Sequence, residues 1–241
     1  MRKRVPNSVE AGIRVLFILI AAGAAFNSPV GAQNQELQGR VAEITQAAAR
    51  NKQALTQWTW VEQVNISLKG ELKKQEHFQV RLGPDGKNQK TSLDAPPAPP
   101  SGRRLKQHVV EKKTEEYKEY ADQMKDLAEQ YLPPNKEQLQ QAYERGNVTL
   151  GGEAGAPNEL QIVIHNYQKP QDSMTLVVDR NQKELLRVQV ASYMDSPKDA
   201  VNLTVQFSRL PDGSNQISNL TIDGASKQLN IATQNSNYQH L

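Results

Sequence analysis

The sequence predicts an α+β fold: a curved antiparallel sheet, an incomplete barrel, with an N-terminal helix and a central helical insertion packed on it. Three observations predict it. Apolar and polar residues alternate from Trp58 to Leu68 and again in short runs after residue 148, the period of half-buried strands. Turn-forming steps such as Asp85-Gly86 and Asp212-Gly213 divide those runs at hairpin spacing. Between the two groups of strands, residues 105–146 switch to helical periodicity.

The chain opens on basic Arg2, Lys3, Arg4 and Arg14, an apolar run over 15–26 and a small-residue site at Val30-Gly31-Ala32, the three parts of a secretory signal peptide. That run has 12 residues where a spanning helix needs about 20, so cleavage near Ala32 is expected rather than a membrane anchor. Residues 33–241 then form one sheet-plus-helix domain, periplasmic or secreted, with no stable membrane span. Cleavage removes four of the 29 basic residues and one of the 26 acidic ones, leaving 25 of each. The formal charge of +3 therefore belongs to the leader, and a nucleic-acid partner is not expected. The absence of cysteine excludes thiol nucleophiles, thiolate zinc sites and iron–sulfur clusters.

Over 35–56, Leu37, Val41, Ile44, Ala48 and Leu55 recur at helical spacing, a narrow stripe suited to lying on a sheet. Residues 58–68 read as a strand with Trp58, Trp60, Val64, Ile66 and Leu68 on one face. A second strand places Leu72, Phe78, Val80 and Leu82 together, and the turn at 83–86 leads to a third over 89–93. Four prolines mark 94–104 as an exposed loop, since proline cannot join a sheet interior. A long helix over 105–132 ends at Pro133-Pro134, and a short one over 135–145 stops at Gly146. Strands follow at 148–150, 160–164, 173–178, 185–191, 201–210, 217–222 and 227–233, with a hairpin turn expected at Asp223-Gly224. Residues 81–89 echo residues 209–216 around a shared Pro-Asp-Gly, which reads as repeated turn chemistry.

An N-terminal helix, an alternating meander that begins Trp58-Thr59-Trp60, a helical insertion and a returning run of strands resembles the periplasmic lipoprotein-carrier fold. The resemblance implies a sheet that wraps an apolar face around helices and leaves room for acyl chains. It is one of layout over 35–241, and no functional residue is carried over by it. Segments such as Asp172-Ser173-Met174-Thr175-Leu176 also look like those of secreted bacterial proteins of unassigned function.

Trp58, Trp60, Val64, Ile66, Phe78 and Val80 would line one sheet face, and Tyr117, Tyr120, Met124 and Tyr131 would face them from the long helix. Aromatic and methionine side chains suit flexible apolar guests, so these ten are candidate ligand-lining residues; the alternative is a filled core. His77, His108, His165 and His240 lie too far apart for a metal motif, and no nucleophile, base and orienting group stand together. Neither a catalytic residue, a metal nor a cofactor is expected. The function the sequence favours is a non-enzymatic binding or carrier module for an apolar or lipidated ligand, with a lipid, an acylated ligand or an envelope protein as partner. The alternative is an envelope protein-interaction or regulatory module with a solid core and no small ligand, using a charged helical face such as Glu115, Glu116 and Glu119.

Overall fold

Ten strands pair through one antiparallel sheet: β1 (Trp58–Leu68), β2 (Glu71–Leu82), β3 (Asn88–Ser92), β4 (Val148–Gly151), β5 (Glu159–His165), β6 (Ser173–Asp179), β7 (Glu184–Tyr193), β8 (Ala200–Arg209), β9 (Asn215–Gly224) and β10 (Leu229–His240). The computed structural model describes residues 51–84, 86–95, 104–151, 158–179, 181–182 and 184–241. The expected leader over 1–32, most of the expected helix over 35–56 and most of the proline-rich stretch lie outside the described residues. Residues 51–55 form a last helical turn ahead of β1.

The spatial order is β3-β2-β1-β10-β9-β8-β7-β6-β5-β4. Every neighbour is a neighbour in sequence except β1 and β10, which pair from Trp58 opposite His240 to Leu68 opposite Leu229. The outer edges are β3 and β4, so the sheet stays open. The two helices that separate these edges in sequence are α1 (Arg104–Tyr131) and α2 (Lys136–Glu144).

The alternation places Ile162, Ile164, Met174, Leu176, Val188, Val190, Leu203, Val205, Leu220, Ile222 and Ile231 in one buried cluster with α1. Each such side chain contributes about 1.5 to 3 kcal/mol by leaving water. α1 crosses the strands along the end of the sheet that carries the loops at 166–172, 194–199 and 225–228. From Glu116 to Tyr131 the helix rises about 22 Å, and the four strand spacings between the first and last of those loops span about 19 Å. One helix therefore reaches all three.

Each loop holds it by a polar latch. Lys227 pairs with Glu116, and Ser226 Oγ donates to Tyr120 Oη, which donates to Asp199 at 2.7 Å. The buried Asp172 accepts from Tyr131 Oη at 2.5 Å and from the backbone N–H groups of Tyr167, Gln168 and Lys169 at 2.6 to 2.9 Å. The Leu132–Pro133 bond is cis, and Asn135 then caps α2 by accepting from the N–H groups of Glu137 and Gln138. The amides of Gln138 and Gln168 bond each other reciprocally at 3.0 Å, tying α2 to the same loop.

Burial, and next the Asp172 carboxylate, hold the Tyr131 hydroxyl well above its ordinary range. Burial also raises Tyr167 and Tyr120. These hydroxyls stay protonated in the fold beyond the unfolded value of about 10, so their stabilisation is complete below that pH and is lost as pH rises through the raised values. The urea midpoint is expected to hold between about pH 7 and 9 and to fall beyond about 10, less steeply in Tyr131→Phe. Phenolate absorbance that rises near pH 10 for all seven tyrosines of the folded protein would contradict this.

Three expectations are corrected. The turn at Asp223-Gly224 lies inside β9, and the reversal falls at 225–228, because Gly224 is the point where α1 presses on the sheet. β10 runs on past Thr233 to His240: the polar run 234–239 carries no apolar alternation, and pairing with β1 makes it a strand. Leu72 does not share the face of Phe78 and Val80; a bulge where Ile66 faces Lys74 and Ser67 faces Leu72 turns it outward, 56% exposed. The repeated turns do match. Gly83 N–H donates to Lys87 O and Gly86 N–H to Gly83 O, as Leu210 N–H does to Ser214 O and Gly213 N–H to Leu210 O. Gly86 and Gly213 both take positive φ, the glycine position of this hairpin loop.

Candidate ligand-binding site

The strands are longer than α1 is wide, so α1 covers one end of the inner face only. At the other end Leu55 from the last helical turn packs with Trp58 and Leu210. Trp58 Nε1 donates to Asp212 Oδ2 at 2.7 Å, and Asn51 exchanges two hydrogen bonds with the Asn215 backbone. Partial burial raises the Asp212 carboxyl, but hydrogen bonds from Ser214 and Trp58 outweigh it and hold the group below its usual range.

A band of half-buried apolar side chains fringes both caps, Val64, Ile66 and Ile217 against the α1 cluster and Tyr238 against the Trp58 cluster, with half-buried Phe78 between them. Polar groups interrupt it. Glu62 is 5% exposed between Trp60 and Val64, and Lys90 on β3 reaches across β2 to its Oε1 at 2.5 Å while lying 5.7 Å from the Phe78 ring centre. A buried carboxylate needs such a partner, because unpaired burial of a charge costs several kcal/mol. Trp60 and Tyr238 lie with ring centres 6.3 Å apart, and burial raises the Tyr238 hydroxyl well above its usual range, an effect the neighbouring Gln216 amide partly offsets.

Two buried polar atoms in this band lack hydrogen-bond partners, Trp60 Nε1 and Asn235 Oδ1, while the Gln216 amide borders the Tyr238 hydroxyl. Trp60 and Gln216 are 7% and 4% exposed, so water does not reach them freely. An unmet buried donor costs about 1 to 3 kcal/mol.

The ten residues expected to line a single cavity divide among three places. Tyr120, Met124 and Tyr131 are buried against β5–β10, and half-buried Val64 and Ile66 pack on the same cluster. Trp58 belongs to the opposite cap, and Trp60, Val80 and half-buried Phe78 stand in the band between. Tyr117 is half-buried on α1. The long helix thus does not face Trp60, Phe78 and Val80, because its loop contacts fix it at the other end of the strands. Beneath it a cavity of about 10 Å³ remains beside Leu127, Ala128, Tyr131 and Ser192, room for a single water.

Sequence reasoning missed Glu62, Lys90, Gln216, Asn235 and Tyr238. For Glu62 a signal existed: period two places it on the inner face beside Trp60 and Val64. Gln216 and Asn235 carry none, since their positions depend on the bulges in β9 and β10. Among the described residues no cluster of His, Asp and Glu could hold a metal, and no helix is long and apolar enough to cross a membrane. His165 lies 3.4 Å from the Thr149 hydroxyl, while nearby Asp172 is occupied by Tyr131 and three backbone donors.

No family model and no curated protein matches the chain. Two solved structures do. A DUF1329 family protein from Desulfovibrio piger is 11% identical, with a TM-score of 0.36 over 81% of this chain and 90% of that one. A LolA superfamily protein from Nitrosomonas europaea is 8% identical, with a TM-score of 0.35 over 81% and 92%. At these scores the likeness is one of broad layout and carries no inference about ligand or activity.

Proposed function

We propose that the protein is an exported, non-enzymatic binding module that holds an apolar or lipidated ligand on the inner face of the sheet, between α1 and the turn at 51–57. The observation that carries this reading is the half-buried band around Trp60, whose buried indole N–H has no partner. Beside a cavity the size of one water under α1, half-buried Phe78 and Tyr238 leave apolar surface partly open in this band, which supports the reading. A guest that needs area more than directional bonds fits such a surface. Export rests on the leader over 1–32.

Native mass spectrometry with organic extraction of the protein purified from a bacterial periplasm tests the reading. An acyl-chain species is expected to accompany the wild type and to be lost from Trp60→Ala, at a stability cost below the roughly 3 to 5 kcal/mol of a packed aromatic core site. A bare mass, no uptake of a fluorescent acyl probe and a full core-sized loss in Trp60→Ala would together reject it.

A further inference from the structure

The outer face of the sheet, turned away from α1 and from the apolar band, carries almost no charge. Strand pairing lines its side chains up in rows across the strands. The row from Gln75 on β2 to Thr149 on β4 crosses nine strands without an ionisable group, and Asn65, Thr221, Thr204, Gln189 and Thr175 are among its polar members. One neighbouring row runs from His77 through Gln63, Asn219 and Gln206 to Gln161, the other from Ser67 on β1 to Ser173 on β6. The permanently charged members of the three rows are Arg187 and Asp223. The chain as a whole is 23% charged, and the exposed side of α1 holds Glu115, Glu119, Asp122, Asp126 and Glu129 in solvent. A sheet face that meets water is polar for that reason alone. Neutrality across nine strands is a separate property, since water accepts charge as readily.

The amides are also held in place. Gln75 Nε2 and Gln63 Nε2 both donate to Asn65 Oδ1, at 3.0 and 3.3 Å, and Asn219 Nδ2 donates to Gln206 Oε1 at 3.3 Å. Each bond fixes one end of an amide and turns the other to solvent. Asn65 therefore offers donors, Gln63 and Gln75 offer acceptors, and the hydroxyls of Thr204 and Thr221, opposite each other in the β8–β9 pairing, offer both. Little side-chain order remains to be lost on binding.

That pattern selects a class of partner. Nucleic acids and acidic peptides need clustered cations, and these rows hold Arg187 alone, 3.7 Å from Glu159. An apolar guest would strip water from amides and hydroxyls without replacing its bonds. A neutral polymer of hydroxyl and amide groups replaces them. Successive strands stand about 4.8 Å apart and alternate strands about 9.6 Å, close to the length of one β-linked disaccharide.

We propose that the outer face is a docking surface for a neutral glycan strand bearing hydroxyl and acetamido groups, laid across the strands along the row from Asn65 to Thr175. The amides of Asn65, Gln75 and Gln189 pair with acetamido groups as Gln138 pairs with Gln168 within the protein, and Thr204 and Thr221 exchange bonds with sugar hydroxyls. This surface lies on the opposite side of the sheet from the apolar band and stands independently of the binding reading above.

The test titrates hexa-N-acetylchitohexaose, the corresponding disaccharide and hexagalacturonate against the full mature protein, with binding followed by amide NMR shifts. Wild type is expected to bind the hexasaccharide at least about tenfold more tightly than the disaccharide, because the longer chain meets more of the row, and to leave the anionic hexamer unbound. The double variant Thr204→Val/Thr221→Val keeps both β-branched shapes and should lose about tenfold, and Gln189→Ala, at an exposed position, about fivefold. Trp60→Ala, on the inner face, should bind the hexasaccharide as wild type does. No binding of the hexasaccharide by folded wild type, equal binding of hexagalacturonate, or unchanged affinity in both outer-face variants would overturn the assignment. Self-association of wild type that the valine pair abolishes, without glycan uptake, would also overturn it and give the face to a second copy of the chain.

Discussion

Asp172→Ala is expected to lower the unfolding free energy by about 3 to 5 kcal/mol, the largest effect of any polar substitution in the described residues. The carboxylate is 2% exposed and accepts four hydrogen bonds, three from consecutive backbone N–H groups of the 166–172 loop and one from Tyr131. Alanine leaves the three backbone donors without their acceptor and Tyr131 with the Ser192 hydroxyl at 2.7 Å alone, which loosens the C-terminal end of α1 from the 166–172 loop. Asp172→Asn keeps one good acceptor oxygen and should cost about 1 to 2 kcal/mol. Urea titration at neutral pH separates the two through the midpoint at constant slope. A loss below about 1 kcal/mol in the alanine variant would mean that water satisfies the loop and that Asp172 is no hub.

Gly224→Ala is expected to cost about 1 to 3 kcal/mol through overpacking. A Cβ built there lies 2.7 Å from Met124 Sδ and from Tyr120 Cε1, and 2.8 Å from Tyr120 Oη. Real carbon contacts do not approach so closely, so α1 must lift or both side chains must leave their places. Met124 is wholly buried and Tyr120 is held by Asp199 and Ser226, which leaves the helix as the part that yields. The cost comes from contact alone, since Gly224 is not among the glycines with positive φ. Combining the change with Met124→Ala should cost less than the two separately, a coupling that thermal melts read as a double-mutant cycle. Strict additivity would place the clash elsewhere.

Much of the sheet was legible because half-burial writes itself as alternation. The strand over 58–68 was read to the residue, and the helices ended where proline and glycine end them. Where alternation is interrupted by pairing partners far along the chain, the sequence is silent. Leu72 looks inward until a bulge set by β1 turns it out, and the polar stretch at 234–239 becomes strand only because β1 lies beside it. Gly224 reads as a turn on local grounds; its actual task, letting a helix approach, is set by a residue a hundred positions earlier. Of the ten candidate lining residues, alternation put Trp60, Val64, Ile66, Phe78 and Val80 on one sheet face; which of them α1 covers is set by loop contacts that no local pattern shows.

The pairing of β1 with β10 has a kinetic side. Residues 58–92 and 148–240 are two meanders whose internal contacts are local, whereas the ladder that joins them unites segments about 170 positions apart. Loop closure over such a distance is entropically slow, so each meander can form early while the seam zips late. Trp60 and Glu62 stand on one side of that seam, and Gln216, Asn235 and Tyr238 on the other. On the binding reading, a guest seated there would stitch together two independently nucleating halves, and its occupancy would add directly to the free energy that keeps them joined.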